Sequence, residues 1–282
     1  MPKADALIEV GRKRLLQDVD RLNRRGDERE QARELLEHAA GGRLNGREIA
    51  PRVQRTFERL LERRAAGEPV GYIIGYEEFL GMRLAVKPGA FIPRNTTEYL
   101  AKEAARRLRR RTDPIAADLA TGVGAVALGM ARAAPHATVY GTDISRVALG
   151  LARANARTNG APNARFLSGS MFDPLPKRLR GAFDVMASHP PYVASHELKG
   201  LPAELDFEPL ESLTDRSRDG LGLVRVFVDG ARHWLKPGGW ACLEIASDLA
   251  RPVRTMLVRA GYRNVQSLRG PWGYTRVLVA QR

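Results

Sequence analysis

The sequence predicts an α/β protein in which a small bundle of helices precedes a doubly wound, mostly parallel sheet. Three observations support this fold class. After residue 114, short apolar runs typical of buried strands alternate with stretches at helical spacing. Before residue 70 only the helical spacing occurs. Between these parts, apolar stretches interrupted by glycine and proline indicate a connector.

Three amphipathic helices are expected in the first part of the chain. The first covers residues 4–24, and the second covers residues 28–40 and ends at Gly41. The third begins at Pro51, a residue favoured in a first helical turn, and ends by Gly67. Each helix has apolar residues on one face, so together they can bury a small core.

The connector is expected to form a hairpin with strands over 72–76 and 79–86. A further helix follows it, with Thr96 or Thr97 as the N-cap. These boundaries divide the chain into a helical substrate-recognition domain over 1–75, a β-hairpin connector over 76–98 and a second domain over 99–282.

The second domain is expected to contain seven strands separated by helices. The strands lie near 115–119, 138–142, 164–168, 183–188, 239–245, 263–267 and 274–280. The helices lie near 124–134, 145–158, 219–235 and 248–260. This alternation predicts a parallel sheet covered by helices on both faces, with antiparallel strands at its end.

The composition narrows the class of protein. The single cysteine, Cys242, excludes an internal disulfide framework and fits a reducing cytoplasm. There is no signal-peptide pattern and no apolar run long enough to span a bilayer, so we expect a cytoplasmic protein without a membrane partner. No cluster of Cys and His has metal-ligand spacing, so no metal is expected.

The net charge of +14 has two interpretations. It favours RNA, the ribosome or another polyanion as a partner. It is equally typical of a chain whose many arginines reflect the base composition of its genome. Both interpretations stay open, because the basic residues are interspersed with acidic ones.

A glycine-containing loop after the strand at 115–119 is the candidate nucleotide site. Gly122 and Gly124 allow a tight turn and the close approach of a ligand to the backbone. Asp143 ends the next strand, where an acidic side chain can bind both hydroxyls of a ribose. On this loop alone NAD competes with S-adenosylmethionine, because Ala127 completes a dinucleotide fingerprint.

The turn after the strand at 183–188 decides between these cofactors. Pro190 and Pro191 end the strand and restrict the backbone, and Tyr192 supplies a flat face with a polar tip. S-adenosylmethionine methyltransferases that act on planar amino or amide nitrogen commonly have Asn/Asp-Pro-Pro-aromatic at this point. The sequence therefore favours methyl transfer, although an ordinary proline-capped turn has the same residues.

With these motifs placed, nearly the whole chain resembles the HemK-type family, the glutamine methyltransferases that modify translation release factors. The matching segments are 64–75, 91–98, 118–125, 207–210, 219–221 and 236–239. The resemblance implies a seven-stranded, Rossmann-like methyltransferase sheet behind a helical substrate domain. It also implies S-adenosylmethionine as the cofactor and S-adenosylhomocysteine as the product.

The resemblance implies a set of site residues. The catalytic residues would be His189, Pro190 and Tyr192. The cofactor-binding residues would be Asp118, Ala120, Thr121, Gly122, Gly124, Asp143, Ile144, Ser170, Met171, Phe172 and His189. The substrate-binding residues would be Arg94, Pro191, Tyr192, Phe207 and Glu208.

Several positions depart from the family pattern. His189 stands in place of the family's asparagine, Ala120 in place of a glycine and Ser170 in place of the usual aspartate, while Asn95 and Thr96 replace Pro and Asp. Cofactor binding is expected to survive, since the two glycines and the ribose-binding acid of the loop remain. A histidine offers at most one acceptor nitrogen, but it can take a proton near neutral pH.

We therefore expect a diverged methyltransferase that modifies a polar nitrogen or oxygen of a specialised small molecule, as in natural product biosynthesis. One alternative is the family's own reaction on a glutamine amide of a release factor or ribosomal protein, with the histidine tolerated. A second alternative is an inactive protein that binds S-adenosylmethionine or RNA. Whether His189 acts as a base or only shapes the pocket also stays open.

Overall fold

The computed structural model describes residues 1–17, 27–44, 48–109, 111–271 and 273–282. The contacts within the chain divide it into two compact units. The first unit comprises Met1–Tyr76 and Lys199–Glu208, and the second comprises Glu77–Leu198 and Pro209–Arg282. We call the turn after the strand at 183–188, residues 189–192, the acceptor turn. The short segment Lys199–Glu208, which follows this turn in sequence, thus belongs to the helical unit. The assignment of substrate recognition to residues 1–75 stays a prediction.

Within the described residues, the first unit contains four α-helices. They are α1 (Ala4–Leu16), α2 (Glu28–Ala40), α3 (Pro51–Ala65) and α4 (Val70–Ile74). Their apolar faces meet in a core that includes Leu15, Leu35 and Phe57. The first helix was expected to extend to residue 24, but α1 ends at Leu16, and the expected stretch 18–24 lies outside the described residues.

The strand expected over 72–76 is wrong, because most of this stretch belongs to helix α4. The carbonyl of Pro69 accepts hydrogen bonds from the backbone N–H of Tyr72 (3.0 Å) and Ile73 (3.1 Å). Ile73 packs into the helical core, and this burial outweighs its preference for a strand. Gly75, with φ of 88°, ends the helix, and the first strand, β1 (Tyr76–Phe79), begins at the next residue.

A buried ion pair attaches the segment Lys199–Glu208 to the helices of the first unit. The side chain of Arg64 is 1% exposed, and it donates to Glu204 at 3.2 Å. It also donates to Gln31 at 2.7 Å. Removing either charged partner would leave the other buried without compensation, which typically costs about 3–5 kcal/mol.

The second unit begins with the connector. Strand β1 (Tyr76–Phe79) and strand β2 (Met82–Ala85) form a two-stranded sheet, so the hairpin is shorter than expected. The remaining helices are α5 (Thr97–Leu108), α6 (Ala125–Ala133), α7 (Arg146–Thr158), α8 (Leu210–Leu213), α9 (Gly222–Trp234) and α10 (Ala250–Arg259). The remaining strands are β3 (Ile115–Leu119), β4 (Thr138–Asp143), β5 (Ala164–Ser168), β6 (Phe183–Ser188), β7 (Leu235–Glu244), β8 (Arg263–Arg269) and β9 (Thr275–Gln281).

These seven strands form one sheet in the order β5-β4-β3-β6-β7-β9-β8. The first five strands of this order are parallel, and β9 runs antiparallel to both β7 and β8. The predicted fold class is confirmed, including the antiparallel strands at the end. The strand order reverses between β3 and β6, which is where open α/β sheets bind their ligands.

Strand β6 lies in the middle of the sheet and is buried along its whole length. Its apolar run is typical of a parallel strand that is covered on both faces. Helix α5 packs against both β6 and β7, so the residues at its start come close to the ends of these strands. Within the described ranges, no helix is both long and apolar enough to cross a membrane.

Candidate active site

The two candidate loops leave the sheet side by side. Leu119 at the end of β3 is paired in register with Ser188 at the end of β6. The Ser188 hydroxyl also donates to the carbonyl of Leu119 at 2.7 Å. The nucleotide loop and the acceptor turn therefore begin next to each other at the carboxyl edge of the sheet.

The conformation of the nucleotide loop depends on residues with positive φ. Ala120 has φ of 56°, Gly122 of 55° and Gly124 of 89°. A Cβ atom added at Gly122 would meet no atom within 4 Å, so the space beside this residue is open. Ala120 adopts the left-handed conformation that the family's glycine adopts easily, and it keeps the loop's shape at a cost in strain.

Asp118 supports this loop from below. Its carboxylate accepts hydrogen bonds from the Thr121 hydroxyl at 2.6 Å and from the backbone N–H of Ala127 at 3.1 Å. Burial raises the pKa of Asp118 to about 7, and the nearby charge of Asp143 adds to the rise. The carboxyl group therefore binds groups of the protein itself. Its contact with the cofactor, expected from the sequence, stays a prediction.

Asp143 joins the end of β4 to the nucleotide loop. One carboxylate oxygen accepts from the backbone N–H of Gly122 and the other from that of Ser145, both at 2.8 Å. Burial raises the pKa of this carboxyl group, and the backbone hydrogen bonds oppose that rise. An ionised carboxylate has about four acceptor sites, so Asp143 can accept from a ligand hydroxyl besides the backbone N–H groups of Gly122, Ser145 and Ile144. Ile144, which is 60% exposed, offers an apolar surface beside it.

The three residues after β5 are placed differently from one another. Ser170 is exposed. The side chain of Met171 is buried in the core, and its carbonyl accepts from the Thr142 hydroxyl at 2.7 Å. The ring of Phe172 stacks on that of Trp234, with 6.3 Å between centroids. The side chain of Met171 is buried and that of Phe172 is partly buried against the same core, and their contact with a cofactor stays a prediction.

The imidazole of His189 lies between two aromatic rings. The Phe91 ring is 5.8 Å away, edge to face, and the Tyr192 ring is 5.5 Å away at an interplanar angle of 33°. The guanidinium of Arg94 covers the Phe91 ring at 4.7 Å from its centroid. The side chain of His189 is 14% exposed, so it has limited access to solvent.

A charged network lies behind this histidine. The Glu244 side chain is completely buried, and its Oε1 faces the Thr96 hydroxyl at 3.1 Å and Arg276 at 3.4 Å. Among the described residues its Oε2 has no hydrogen-bond partner, and it lies 3.8 Å from Nδ1 of His189. Arg276 also donates to the Tyr192 hydroxyl at 3.0 Å. The network thus connects the two polar side chains of the acceptor turn through one carboxylate.

The surroundings favour a neutral imidazole at neutral pH. Burial lowers the pKa of His189, and the positive charges of Arg276 and Arg94 lower it further, while the negative charge of Glu244 opposes them. Burial raises the pKa of Tyr192, so the phenol keeps its proton. A neutral imidazole has one nitrogen that donates and one that accepts a hydrogen bond.

The structure brings some predicted substrate residues together and assigns others to the first unit. Arg94 reaches the surroundings of His189 through the Phe91 ring. Phe207 and Glu208 belong to the helical unit, where Phe207 is 40% exposed and Glu208 is buried. The substrate-binding role of Phe207 and Glu208 stays a prediction.

Sequence reasoning missed three of the polar groups around His189. Thr96 is the N-cap of α5 by position, but its side chain makes no capping hydrogen bond and donates to Glu244 instead. The hydroxyl of Thr97 lies 3.4 Å from Nδ1 of His189. The role of Arg276 also had no sequence motif; the only signal was a charged residue near the start of an apolar strand.

Comparison with known proteins identifies the family. A family profile described as a methyltransferase domain matches residues 115–245, and one described as the PrmC N-terminal domain matches residues 15–75. The release factor glutamine methyltransferase of Moorella thermoacetica is 38% identical over 238 residues, which cover 83% of this chain and 82% of that protein. The chain belongs to the HemK-type methyltransferase family. The counterpart from Bordetella pertussis is 37% identical over 229 residues, which cover 81% of this chain and 83% of that protein.

Similar solved structures support the fold. The T. thermophilus 16S rRNA N2 G1207 methyltransferase, solved with AdoMet and guanosine, has a TM-score of 0.55 and 21% identity over 73% of this chain and 49% of that one. A methyltransferase from Pyrococcus furiosus has a TM-score of 0.53 and 20% identity over 79% of this chain and 96% of that one. The family assignment confirms the predicted enzyme class and its cofactor, S-adenosylmethionine, over NAD.

Proposed function

We propose that this enzyme methylates the side-chain amide nitrogen of a glutamine in a peptide chain release factor. The two relatives described above carry names that specify this reaction, and each aligns over about four fifths of its length. They favour the alternative drawn from the sequence and give no support to a specialised small-molecule acceptor. The structural observation that supports the proposal is the largely buried side chain of His189, which lies against the Tyr192 ring just after β6.

The residues of the nucleotide loop fit S-adenosylmethionine. The open space beside Gly122 allows the cofactor to approach the backbone, and the carboxylate of Asp143 would accept from the ribose. Ile144 can pack against the adenine, since its side chain is already exposed. When it is bound, the cofactor supplies an electrophilic methyl group on a sulfonium.

The acceptor turn compensates for the weak nucleophilicity of an amide nitrogen, whose lone pair is delocalised into its carbonyl. Nε2 of His189 and the carbonyl of Pro190 would accept the two N–H groups and orient the nitrogen toward the methyl carbon. Tyr192 would hold the amide plane against its ring. The amide nitrogen would exchange a proton for the methyl group of the cofactor, whose sulfur would keep the electrons of the broken bond, and His189 would accept the released proton.

The proposal is tested by methyl transfer to a release factor domain that contains a Gly-Gly-Gln loop, read by peptide mass spectrometry. We expect one methyl group on the glutamine. The same domain with glutamate at that position should stay unmodified, because glutamate has no N–H group to methylate. His189→Ala should lower the rate by about 10²–10⁴-fold, the usual contribution of a positioned acid–base group.

The matched control is His233→Ala, which removes an exposed histidine on α9 and should leave the rate unchanged. Failure of the native protein to methylate the glutamine, while it still binds S-adenosylmethionine, would contradict the proposal. That outcome would return the choice to a small-molecule acceptor or a non-catalytic binding protein.

A further inference from the structure

We propose that Glu244 is a positioning residue whose buried carboxylate holds His189 in the Nδ1–H tautomer and so leaves Nε2 free to face the acceptor. The role given to Nε2 rests on the proposed function. The tautomer and its cause depend only on the residues of the second unit, and they can be measured without any acceptor.

The unpartnered oxygen of Glu244 is the first observation. A completely buried carboxylate is costly unless its oxygens meet donors. Oε1 faces two donors, whereas Oε2 meets none in the part of the chain that the structure describes and lies 3.8 Å from Nδ1 of His189. This separation exceeds a hydrogen bond, yet an N–H pointing at a carboxylate is attractive across it in a low-dielectric interior. A small rotation of the ring would close the contact.

The position of the proton follows from this geometry. If Nδ1 carried no proton, its lone pair would face the negatively charged oxygen of Glu244. The Thr97 hydroxyl, 3.4 Å from Nδ1, could then donate to that lone pair, which is the competing arrangement. With the proton on Nδ1, both Thr97 and Glu244 act as acceptors and no repulsion arises. The full charge on Glu244 makes the second arrangement the stronger one.

The charged groups facing His189 come from several elements. Glu244 ends β7 and favours the protonated imidazole. Arg276 on β9 and Arg94 before α5 disfavour it, and burial acts in the same direction. The phenol of Tyr192 carries no charge near neutral pH. Protonation of His189 would therefore satisfy Glu244 but would convert Nε2 from an acceptor into a donor, which an amide N–H cannot use.

The register of the sheet explains why these groups meet. Ser188 pairs with Leu243, so the residues that follow them, His189 just after β6 and Glu244 at the end of β7, lie side by side. Glu244 in turn pairs with Val277, which places Arg276 beside it. Because Arg276 also donates to the Tyr192 hydroxyl, the same carboxylate helps to hold the aromatic wall of the turn.

The test is a ¹⁵N NMR titration of histidine-labelled protein with S-adenosylhomocysteine bound, with the His189 signals assigned by their loss in His189→Asn. We expect neutral His189 to carry its proton on Nδ1. In Glu244→Gln the titration midpoint of His189 should move to lower pH, because the charge that favours the imidazolium is gone. A signal from the Nε2–H form should also emerge in that variant.

Asp184→Asn is the matched control. Asp184 is another buried carboxylate that pairs with Arg111 and Lys236, but it lies near the start of β6, away from the turn. It should change neither the tautomer nor the midpoint. Thr97→Val separates the two arrangements without touching Glu244. The Nδ1–H tautomer should persist in that variant, whereas a shift toward the Nε2–H form would show that the Thr97 hydroxyl, and not Glu244, had been setting it.

Kinetic measurements test whether the position of this proton matters for methyl transfer. In Glu244→Gln, kcat should fall by about tenfold, the scale of one lost positioning contact of 1.4 kcal/mol, with KM little changed. The acidic limb of its pH–rate profile should move to lower pH, which a purely structural defect would not cause. An Nε2–H tautomer in the native protein, or an unmoved titration in Glu244→Gln, would overturn the inference. A correct tautomer without glutamine methylation would instead reject only the proposed function.

Discussion

The nucleotide loop and the acceptor turn leave adjacent strands of one sheet, yet they are built in different ways. In the loop, residues 120–124, positive φ angles and a backbone N–H bonded to Asp143 determine the shape. In the turn, side chains from different strands determine it: His189 is set against Glu244, and Glu244 against Arg276. One region depends on backbone conformation, and the other depends on side-chain charge and tautomer.

This difference explains why two departures from the family pattern, Ala120 and His189, should have unequal effects on the enzyme. Ala120 adds a methyl group to a backbone that keeps its conformation, at a cost in strain. Under the proposed function, His189 stands where the family's asparagine would face the acceptor, and it makes that position able to titrate. Cofactor binding should therefore tolerate Ala120. The methylation of the acceptor should depend on pH because of His189. Four substitutions test how the nucleotide loop keeps its conformation and binds the cofactor. They follow in order of expected effect.

The largest effect is expected for Asp143→Asn. The substitution removes a charged acceptor from both the loop and the ribose hydroxyls, and such hydrogen bonds contribute about 1.5–3 kcal/mol each. Isothermal titration calorimetry should show S-adenosylmethionine bound about 10–100-fold more weakly. Asp113→Asn, in the turn before β3 and at the other end of that strand, is the control and should bind normally. Equal affinities for the native protein and Asp143→Asn would remove Asp143 from the cofactor site.

Gly122→Ala tests whether the open space beside the loop belongs to the cofactor. The added methyl group meets no protein atom, so folding should lose only the cost of a left-handed alanine, about 1–2 kcal/mol. Gly160→Ala has a similar φ of +65° and equally open surroundings, and it should lose the same stability. Only Gly122→Ala should weaken cofactor binding, by about tenfold or more. Similar binding in the two variants would show that the space has another use.

Asp118→Asn tests whether the buried acid supports the loop. Because the pKa of Asp118 is raised to about 7, the folded protein holds a proton that the unfolded chain has lost between pH 4 and 7. The associated stability is complete at low pH and is lost as the pH rises through 7. Asparagine cannot ionise, so the native protein should lose stability relative to the variant over this range. Denaturant titrations measure the free energy of unfolding of both proteins at each pH. A difference between them that does not change with pH would contradict the raised pKa of Asp118.

The smallest effect is expected for Ala120→Gly. Glycine removes left-handed strain of about 1–2 kcal/mol but increases the freedom of the unfolded chain by about 0.4–1 kcal/mol. The net gain in the free energy of unfolding should therefore be about 1 kcal/mol or less, with cofactor affinity unchanged. Ala154→Gly, inside helix α7, should instead lose about 1 kcal/mol. A large change in cofactor affinity for Ala120→Gly would break the comparison.

The sequence predicted the sheet well because its strands are continuous apolar runs bounded by turns. It failed at residues 72–76, where the pattern favoured a strand but burial of Ile73 among helices produced α4. Asp143 and His189 could be proposed because each directly follows or ends a predicted strand. In both cases the local pattern indicated where the residue would lie.

The network behind His189 could not be predicted in the same way. The hydrogen bond between Thr96 and Glu244 joins residues 148 positions apart in the chain. The contact of Thr97 with His189 spans 92 positions. Threonine at the start of a helix also has a sufficient local explanation as a cap, so nothing in the sequence pointed elsewhere. Only the strand order and register bring these groups together.

The most direct test of the account is the single-turnover rate of methyl transfer to the glutamine-containing domain as a function of pH, for the native protein and His189→Asn. Protonation of His189 removes its acceptor nitrogen, so the native rate should fall on the acidic side. Asparagine does not titrate, so the variant's rate should stay level over the same range. Identical profiles for the two proteins would contradict the claim that this histidine makes the acceptor step depend on pH.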